Sequence, residues 1–384
     1  MSFSSRSLFT LNMFTMQFFI ILLFLLVFYL QVWGVHTNSL DAIYSTYLRE
    51  NHNNATTYMK TDLASIPFKK CLNTHGRVAI VSLVDNKGLS IFEQSISNLR
   101  CYAKSRGYDF FLLIHEDFDK DLTCGIYNDL MFRRHCILAT QILPKYDWLL
   151  MLDADNVVVN PFRCVEEYID SSYDVIHLER FYNGEIQAGN YLIRNSEFSK
   201  SYLLKWASYH SAHNNLPRNK DNGALHVHLL KTLNKSNNMS LLDCENFWSW
   251  AIEYTDFISC VQKALNGHRT FKQIKIYRRG HGPVRDASLT NSLWCEQDFI
   301  FHGLKDIYFN GVFPLYTRRL ENADCVDSKW LIPYKNKHFV SINTVREKLI
   351  YINDYYQKKL PKHAAGLNGD VKTPLCWPHC PENI

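Results

Sequence analysis

The chain has 384 residues, 47% hydrophobic and 21% charged, with a formal net charge of +5. That apolar content excludes a disordered chain, and a small positive balance with no basic tract gives no case for nucleic-acid binding. It mildly favours an anionic ligand.

Residues 11–33 are almost wholly apolar, and no Asp, Glu, Lys or Arg occurs between Arg6 and Asp41. At ~1.5 Å per residue, about 20 residues cross a hydrocarbon core. A single transmembrane signal anchor is therefore expected. A cleaved signal peptide would have a shorter apolar region and an A-x-A-like cleavage site, which does not follow Trp33. Arg6 and the amino terminus place residues 1–10 in the cytosol, so everything after the span is expected in the lumen. All eleven cysteines follow the span, and Asn54, Asn234 and Asn238 head glycosylation sequons. The cysteine spacings match no zinc pattern, Cys376 and Cys380 being a lone pair. Disulfides with at least one odd thiol are expected in preference to buried free thiols, with no connectivity readable.

Residues 34–74 are polar and aperiodic, the composition of a stem. Globular sequence begins near Arg77. Residues 78–84 (VAIVSLV) read as a buried strand, Ile91 to Arg106 as a helix, Phe110 to His115 as a second strand, Met131 to Ile142 as a helix and Trp148 to Leu152 as a third strand. That alternation predicts an α/β fold with a mostly parallel sheet flanked by helices. Short strands are expected at 175–178 and 191–193, a helix at 199–213, and a strand leading into His302. After about residue 310 the alternation is lost.

The third strand runs into Asp153-Ala154-Asp155. Side chains at i and i+2 of an extended chain share a face, and two carboxylates on one face repel unless a cation lies between them. Hard divalent ions take such ligands and also bind phosphates. The tripeptide reads as a metal–diphosphate site at the carboxyl edge of a sheet, where open α/β sheets bind ligands, or as an acidic turn. Downstream, Asp298 to Phe301 lead into His302-Gly303-Leu304-Lys305, a metal-ligating residue type beside a glycine that permits close backbone approach and a cation suited to diphosphate. Asp221-Asn222 before a helix reads either as an N-cap or as a substrate-facing acid and amide. Gln187-Ala188-Gly189 reads as a close backbone approach or as a bend into a strand. Arg133-Arg134 reads as a solvated face or as a phosphate-gripping fork. Arg285-Asp286 reads as a structural ion pair in preference to a site-lining one.

Trp148 to Pro161, Ala188 to Ser196, Asp221 to His226, Val284 to Thr290 and Asp298 to Lys305 occur in one order. Together they resemble a nematode-expanded family of single-pass membrane proteins labelled a domain of unknown function. That family is similar to glycosyltransferases of the sugar-nucleotide (GT-A) fold, among them Golgi galactosyl-, xylosyl- and mannosyltransferases and glycogenin-like enzymes. The resemblance covers about residues 75–310. It implies Mn²⁺ on Asp153, Asp155 and His302, with Gly303, Lys305 and one of Arg133 or Arg134 on the donor diphosphate. It implies Ser82 and Leu83 at the nucleotide base, Ala188 and Gly189 at the donor, and Gln187, Asp221 and Asn222 at donor sugar and acceptor. Asn222 stands where the relatives carry glutamine, one methylene longer, and Lys305 lies closer to His302 than in glycogenin-like enzymes.

The expectation is a Golgi type II membrane glycosyltransferase of domains 1–10 (cytosolic tail), 11–33 (anchor), 34–74 (stem), 75–310 (GT-A-like) and 311–384 (extension with a disulfide). It would be Mn²⁺-dependent, move a hexose or pentose from a nucleotide-diphosphate sugar, UDP before GDP, to a glycan or glycoprotein acceptor, and retain anomeric configuration. The competing expectations are an inactive lumenal sugar- or nucleotide-binding protein on the same fold, and a metal-dependent phosphohydrolase, which would want more metal ligands at one strand end.

Overall fold

The structure is a computed structural model. It describes residues 71, 74–181, 183–212, 220–233, 244–248, 254–304, 320, 325, 338–359 and 377–378, all within one compact unit, Met59–Ile384. The expected anchor, the three sequons, Cys376, Cys380 and Lys305 lie outside the described residues. Among the described residues, no helix is long and apolar enough to cross a membrane.

The central sheet has the order β2-β1-β3-β6-β5-β7. Its strands are β1 (Val78–Val84), β2 (Asp109–Ile114), β3 (Trp148–Asp153), β5 (Val175–Glu179), β6 (Ile186–Arg194) and β7 (Ile274–Tyr277). β1 pairs in parallel with β2 and β3, and β5 with β7. β6 runs antiparallel between β3 and β5, so the sheet is mixed with a parallel majority. Alternate residues supply two cores. Val78, Ile80, Leu150 and Leu152 face one way, and Ala79, Val81, Leu149 and Met151 the other. Both faces are covered, which is why β1 and β3 read as unbroken apolar runs.

Helix α1 (Glu93–Arg106) packs Leu99, Tyr102 and Ala103 on the first face. It stops at Gly107, whose φ of +79° makes a left-handed C-cap at little steric cost. On the second face lie α2 (Leu130–Ile137), α3 (Glu197–Ala212), α4 (Lys220–Leu233) and α5 (Tyr254–Leu265). The Asp129 carboxylate caps α2 by accepting from the Met131 N–H at 2.8 Å. The helix expected to run through residue 142 changes to a π turn over Leu138–Ile142.

A second, three-stranded sheet has the order β4-β9-β8, built from β4 (Val157–Val158), β8 (Val284–Asp286) and β9 (Ile300–His302). The strand expected before His302 exists, but here and not in the main sheet. Two other expectations shift. β6 begins at Ile186, so Gln187, Ala188 and Gly189 sit inside a paired strand and not in a bend before it. Residues beyond 310 contribute α6 (Ile342–Lys359), whose Val345 and Leu349 join Leu289, Cys295 and Trp377 in a small core. Disulfides join Cys71 to Cys164, Cys101 to Cys325, Cys124 to Cys136 and Cys244 to Cys260. Among the described residues Cys295 is a free, buried thiol.

The second face also buries His177, His226 and His228 among Tyr202, Tyr209 and Phe257. Burial holds their imidazoles down, His226 to about 4 and the other two to about 3. The unfolded chain protonates each near 6.5, so between these limits it binds more protons than the folded one. Stability is then full above about pH 6.5 and falls as pH drops, by about 1.4 kcal/mol per histidine and pH unit. Urea unfolding at pH 7, 6 and 5 should show a steep loss across that range. A flat profile would contradict neutral burial of the cluster.

Candidate functional site

β3 ends at Asp153, and the chain turns so that the Asn156 N–H donates to the Asp153 carbonyl at 3.2 Å. Two residues later β4 pairs antiparallel with β9, Val157 opposite Phe301. This register sets His302 beside the acidic turn, and the Leu304 N–H donates to the Asp155 carbonyl at 2.9 Å. His302 Nε2 lies 3.7 Å from Asp153 Oδ2 and 3.5 Å from Asp155 Oδ1. One candidate ligand atom from each residue falls within 4.8 Å of the others. The spacing of two carboxylates and an imidazole fits a divalent cation of the Mn²⁺ or Zn²⁺ kind.

β8 lies parallel to β9 with Asp286 opposite His302. Asp286 Oδ1 accepts from His302 Nδ1 at 2.7 Å, which turns Nε2 toward the two aspartates. Burial alone would lower the His302 pKa. The Asp155 charge and the bonds to Asp153 and Asp286 override it and raise the imidazole to about 10, the same concentration of negative charge that would favour a cation. Burial likewise opposes ionisation of Asp153, yet Arg134 and His302 keep it well below the usual carboxylate range.

Arg134 is buried on α2. Its Nη1 donates to Asp153 at 2.7 Å and its Nη2 to Asp221. Asp221 and Asn222 lie inside the first turn of α4, not at a cap position. His135 stacks on Trp206 with ring centres 3.6 Å apart and sets Nε2 3.4 Å from Asp221. Asn222 Oδ1 accepts from the Ala188 N–H at 2.9 Å, tying α4 to β6. The Asn190 carboxamide accepts from the Asn156 side chain and the Asp153 N–H, and donates to Gln187 at 2.7 Å.

Gly189 explains the Ala-Gly pair. A Cβ there would collide with the Asp153 carboxylate. Gly303, directly after His302, has a φ of +90° that only glycine adopts freely.

Beside the acidic turn is a cleft of about 540 Å³, within the size range of ligand pockets. Leu83 and Val84 from β1 with Asp85 just after it, His115 and Glu116 after β2, Asp129 and Met131 at α2, and Asp153 and Asp155 line it. It lies at the carboxyl ends of β1, β2 and β3.

The structure thus gathers Asp153, Asp155, His302, Gly303, Arg134, Asp221, Asn222, Ala188 and Gly189 into one neighbourhood. It sets Arg133 apart: its guanidinium donates to the His115 carbonyl, the Tyr127 carbonyl and Asp119, pinning the loop before α2. Ser82 is fully buried and outside the cleft's lining; the cleft takes Leu83, Val84 and Asp85 instead. Gln187 is buried and turned to Asn190. Arg285 pairs not with Asp286 but with Asp298, at 2.5 and 2.9 Å. Asn190, Asn156 and His135 received no site role from the sequence, and Asp286 only the less favoured, site-lining reading of Arg285-Asp286.

A model of the family described as protein of unknown function, DUF273, matches residues 99–313. No curated protein matches the chain. Among solved structures it is similar to a glycosyltransferase involved in the glycosylation of the major capsid of PBCV-1, at 16% identity and a TM-score of 0.33, over 41% of this chain and 79% of that one.

Gly189→Ala should lower the unfolding free energy by about 1–3 kcal/mol through overpacking. Combined with Asp153→Gly, most of that cost should vanish. Additive losses in the double variant would show that Asp153 is not what the Cβ meets.

Proposed function

We propose that this chain, which belongs to the DUF273 family of proteins of unknown function, is a metal-dependent glycosyltransferase. In this reading it moves a hexose or pentose from a nucleotide-diphosphate sugar to a glycan or glycoprotein. One observation carries it: Asp153, Asp155 and His302 converge beside a ligand-sized cleft at the carboxyl ends of three parallel strands. UDP is preferred over GDP on the family resemblance alone.

Asp153, Asp155 and His302 would hold Mn²⁺, which when bound supplies positive charge to a leaving diphosphate. The rest is done by the chain. Asp286 orients His302 through Nδ1. Arg134 fixes Asp153 and Asp221 against each other, so the carboxylate of Asp221 is placed rather than free. Asn222 holds the β6 backbone at Ala188, which keeps the Gly189 approach open. The cleft shields a nucleotide from water between β1 and the start of α2. Positioning of an acceptor hydroxyl beside the anomeric carbon accounts for the rate, and retention of configuration follows the resemblance. Attachment to the Golgi membrane through residues 11–33, with the catalytic part in the lumen, completes the proposal. The four disulfides support it, because such bonds persist in oxidising compartments.

The test is a donor-turnover panel of UDP- and GDP-sugars with the purified full chain, with and without Mn²⁺. Metal-dependent release of nucleotide is expected. Binding without turnover would replace the enzyme by a sugar-nucleotide-binding protein. Asp155→Ala should cut turnover by about 100-fold or more while leaving the thermal midpoint within a few degrees, since it removes a repelling carboxylate. Asp286→Asn should cost about 10–100-fold in metal affinity. Wild-type turnover in Asp155→Ala would refute the site.

A further inference from the structure

A second cavity, of about 600 Å³, opens at the other end of the central sheet. It lies by the start of α3, the end of α4 and the start of β7. β7 begins opposite Val175, and β6 ends opposite Trp148, the first residue of β3. Asp153 is the last residue of β3. The length of β3 therefore separates this cavity from the acidic turn, on the order of 15–20 Å.

Three kinds of group meet there. Lys205, Lys231 and Lys272 all line it. Lys231 is neutralised by Glu245 at 2.5 Å, whereas Lys205 and Lys272 are exposed and make no ion pair among the described residues. Phe198 and Phe271 are half-buried and present ring surface at the cavity wall, with Tyr202 behind them. His228 closes the floor, 1% exposed. Its Nε2 lies 3.0 Å from the Tyr202 carbonyl and must donate to it. Burial keeps the ring neutral, and Nδ1, enclosed behind the floor, makes no hydrogen bond among the described residues.

Two unpaired cations call for an anion. Aromatic rings flanking the same space suit the apolar C–H faces of a pyranose. A simple anion answers only the first of these, and an apolar ligand only the second. We propose that this cavity is a second carbohydrate site, which takes an acidic saccharide with its anionic group between Lys205 and Lys272 and its sugar face on Phe198 and Phe271. The site uses residues remote from the acidic turn and stands whether or not that turn transfers sugar.

Both carboxylate and sulfate sugars meet the requirement, and the test separates them. Fluorescence anisotropy would follow the full chain with labelled tetrasaccharides of three kinds, uronic, sulfated and neutral, in about 0.15 M salt, where loose surface attraction is screened. Polyglutamate serves as a sugar-free polyanion. One acidic tetrasaccharide should bind at least tenfold more tightly than the neutral one and than polyglutamate. The exposed pair Lys205→Ala/Lys272→Ala should lose at least tenfold, Phe271→Ala several-fold, and Asp155→Ala nothing. Equal binding by the lysine double variant, equal binding of polyglutamate, loss in Asp155→Ala, or binding of neither acidic sugar would each overturn the proposal.

Discussion

A buried guanidinium cannot stand without anions, and a buried carboxylate cannot stand without a cation. Arg134 and its two aspartates satisfy both conditions at once. The arrangement joins the end of β3 to the start of α4 through a side chain on α2, so three elements far apart in sequence are held by one charge. Beside it His302 sits among Asp153, Asp155 and Asp286, whose negative charge raises its pKa. Each of these groups depends on the others for its charge state. Removal of Arg134, or of either aspartate it binds, leaves a buried ion without that partner, so these three act as a cooperative unit more than as independent ligands.

The geometry that assembles this unit is non-local, and that sets what could be read in advance. β1 and β3 are continuous apolar runs buried on both faces and β2 is the apolar edge strand beside them, and the sequence pattern placed all three almost to the residue. The D-x-D carboxylates followed from the strand that carries them. The strand β8 is three residues long and β4 two, too short for any periodicity to register. Their pairing with β9 is what seats Asp286 against His302 and His302 against Asp155. For this reason Asp286 was taken for half of an ion pair with its neighbour Arg285.

The arginine pair shows the same limit differently. Arg133 and Arg134 are adjacent, so on a helix they diverge by about 100°. One points to a loop and becomes structural; the other points to the sheet edge and becomes part of the site. Composition and motif could name the pair but not choose between them. β6 extends further than its Tyr-Leu-Ile core suggested: its second half is paired on both sides, and across a register irregularity Ile186 pairs again with Glu179. Between these pairings side chains hold the strand instead, Asn222 accepting from the Ala188 N–H and Asn190 donating to Gln187.

The disulfide between Cys124 and Cys136 spans a separation of 12 residues. Within that ring lie Asn128 to Met131, which form one wall of the cleft, and Arg133 and Arg134 themselves. Closing a ring of this size removes chain entropy worth about 3 kcal/mol. The wall that faces a ligand and the arginine that orients the acidic turn therefore share one covalent clasp. Recognition at the cleft becomes answerable to the thiol chemistry of its surroundings: a reductant that never touches the acidic turn would still loosen the frame in which it is held.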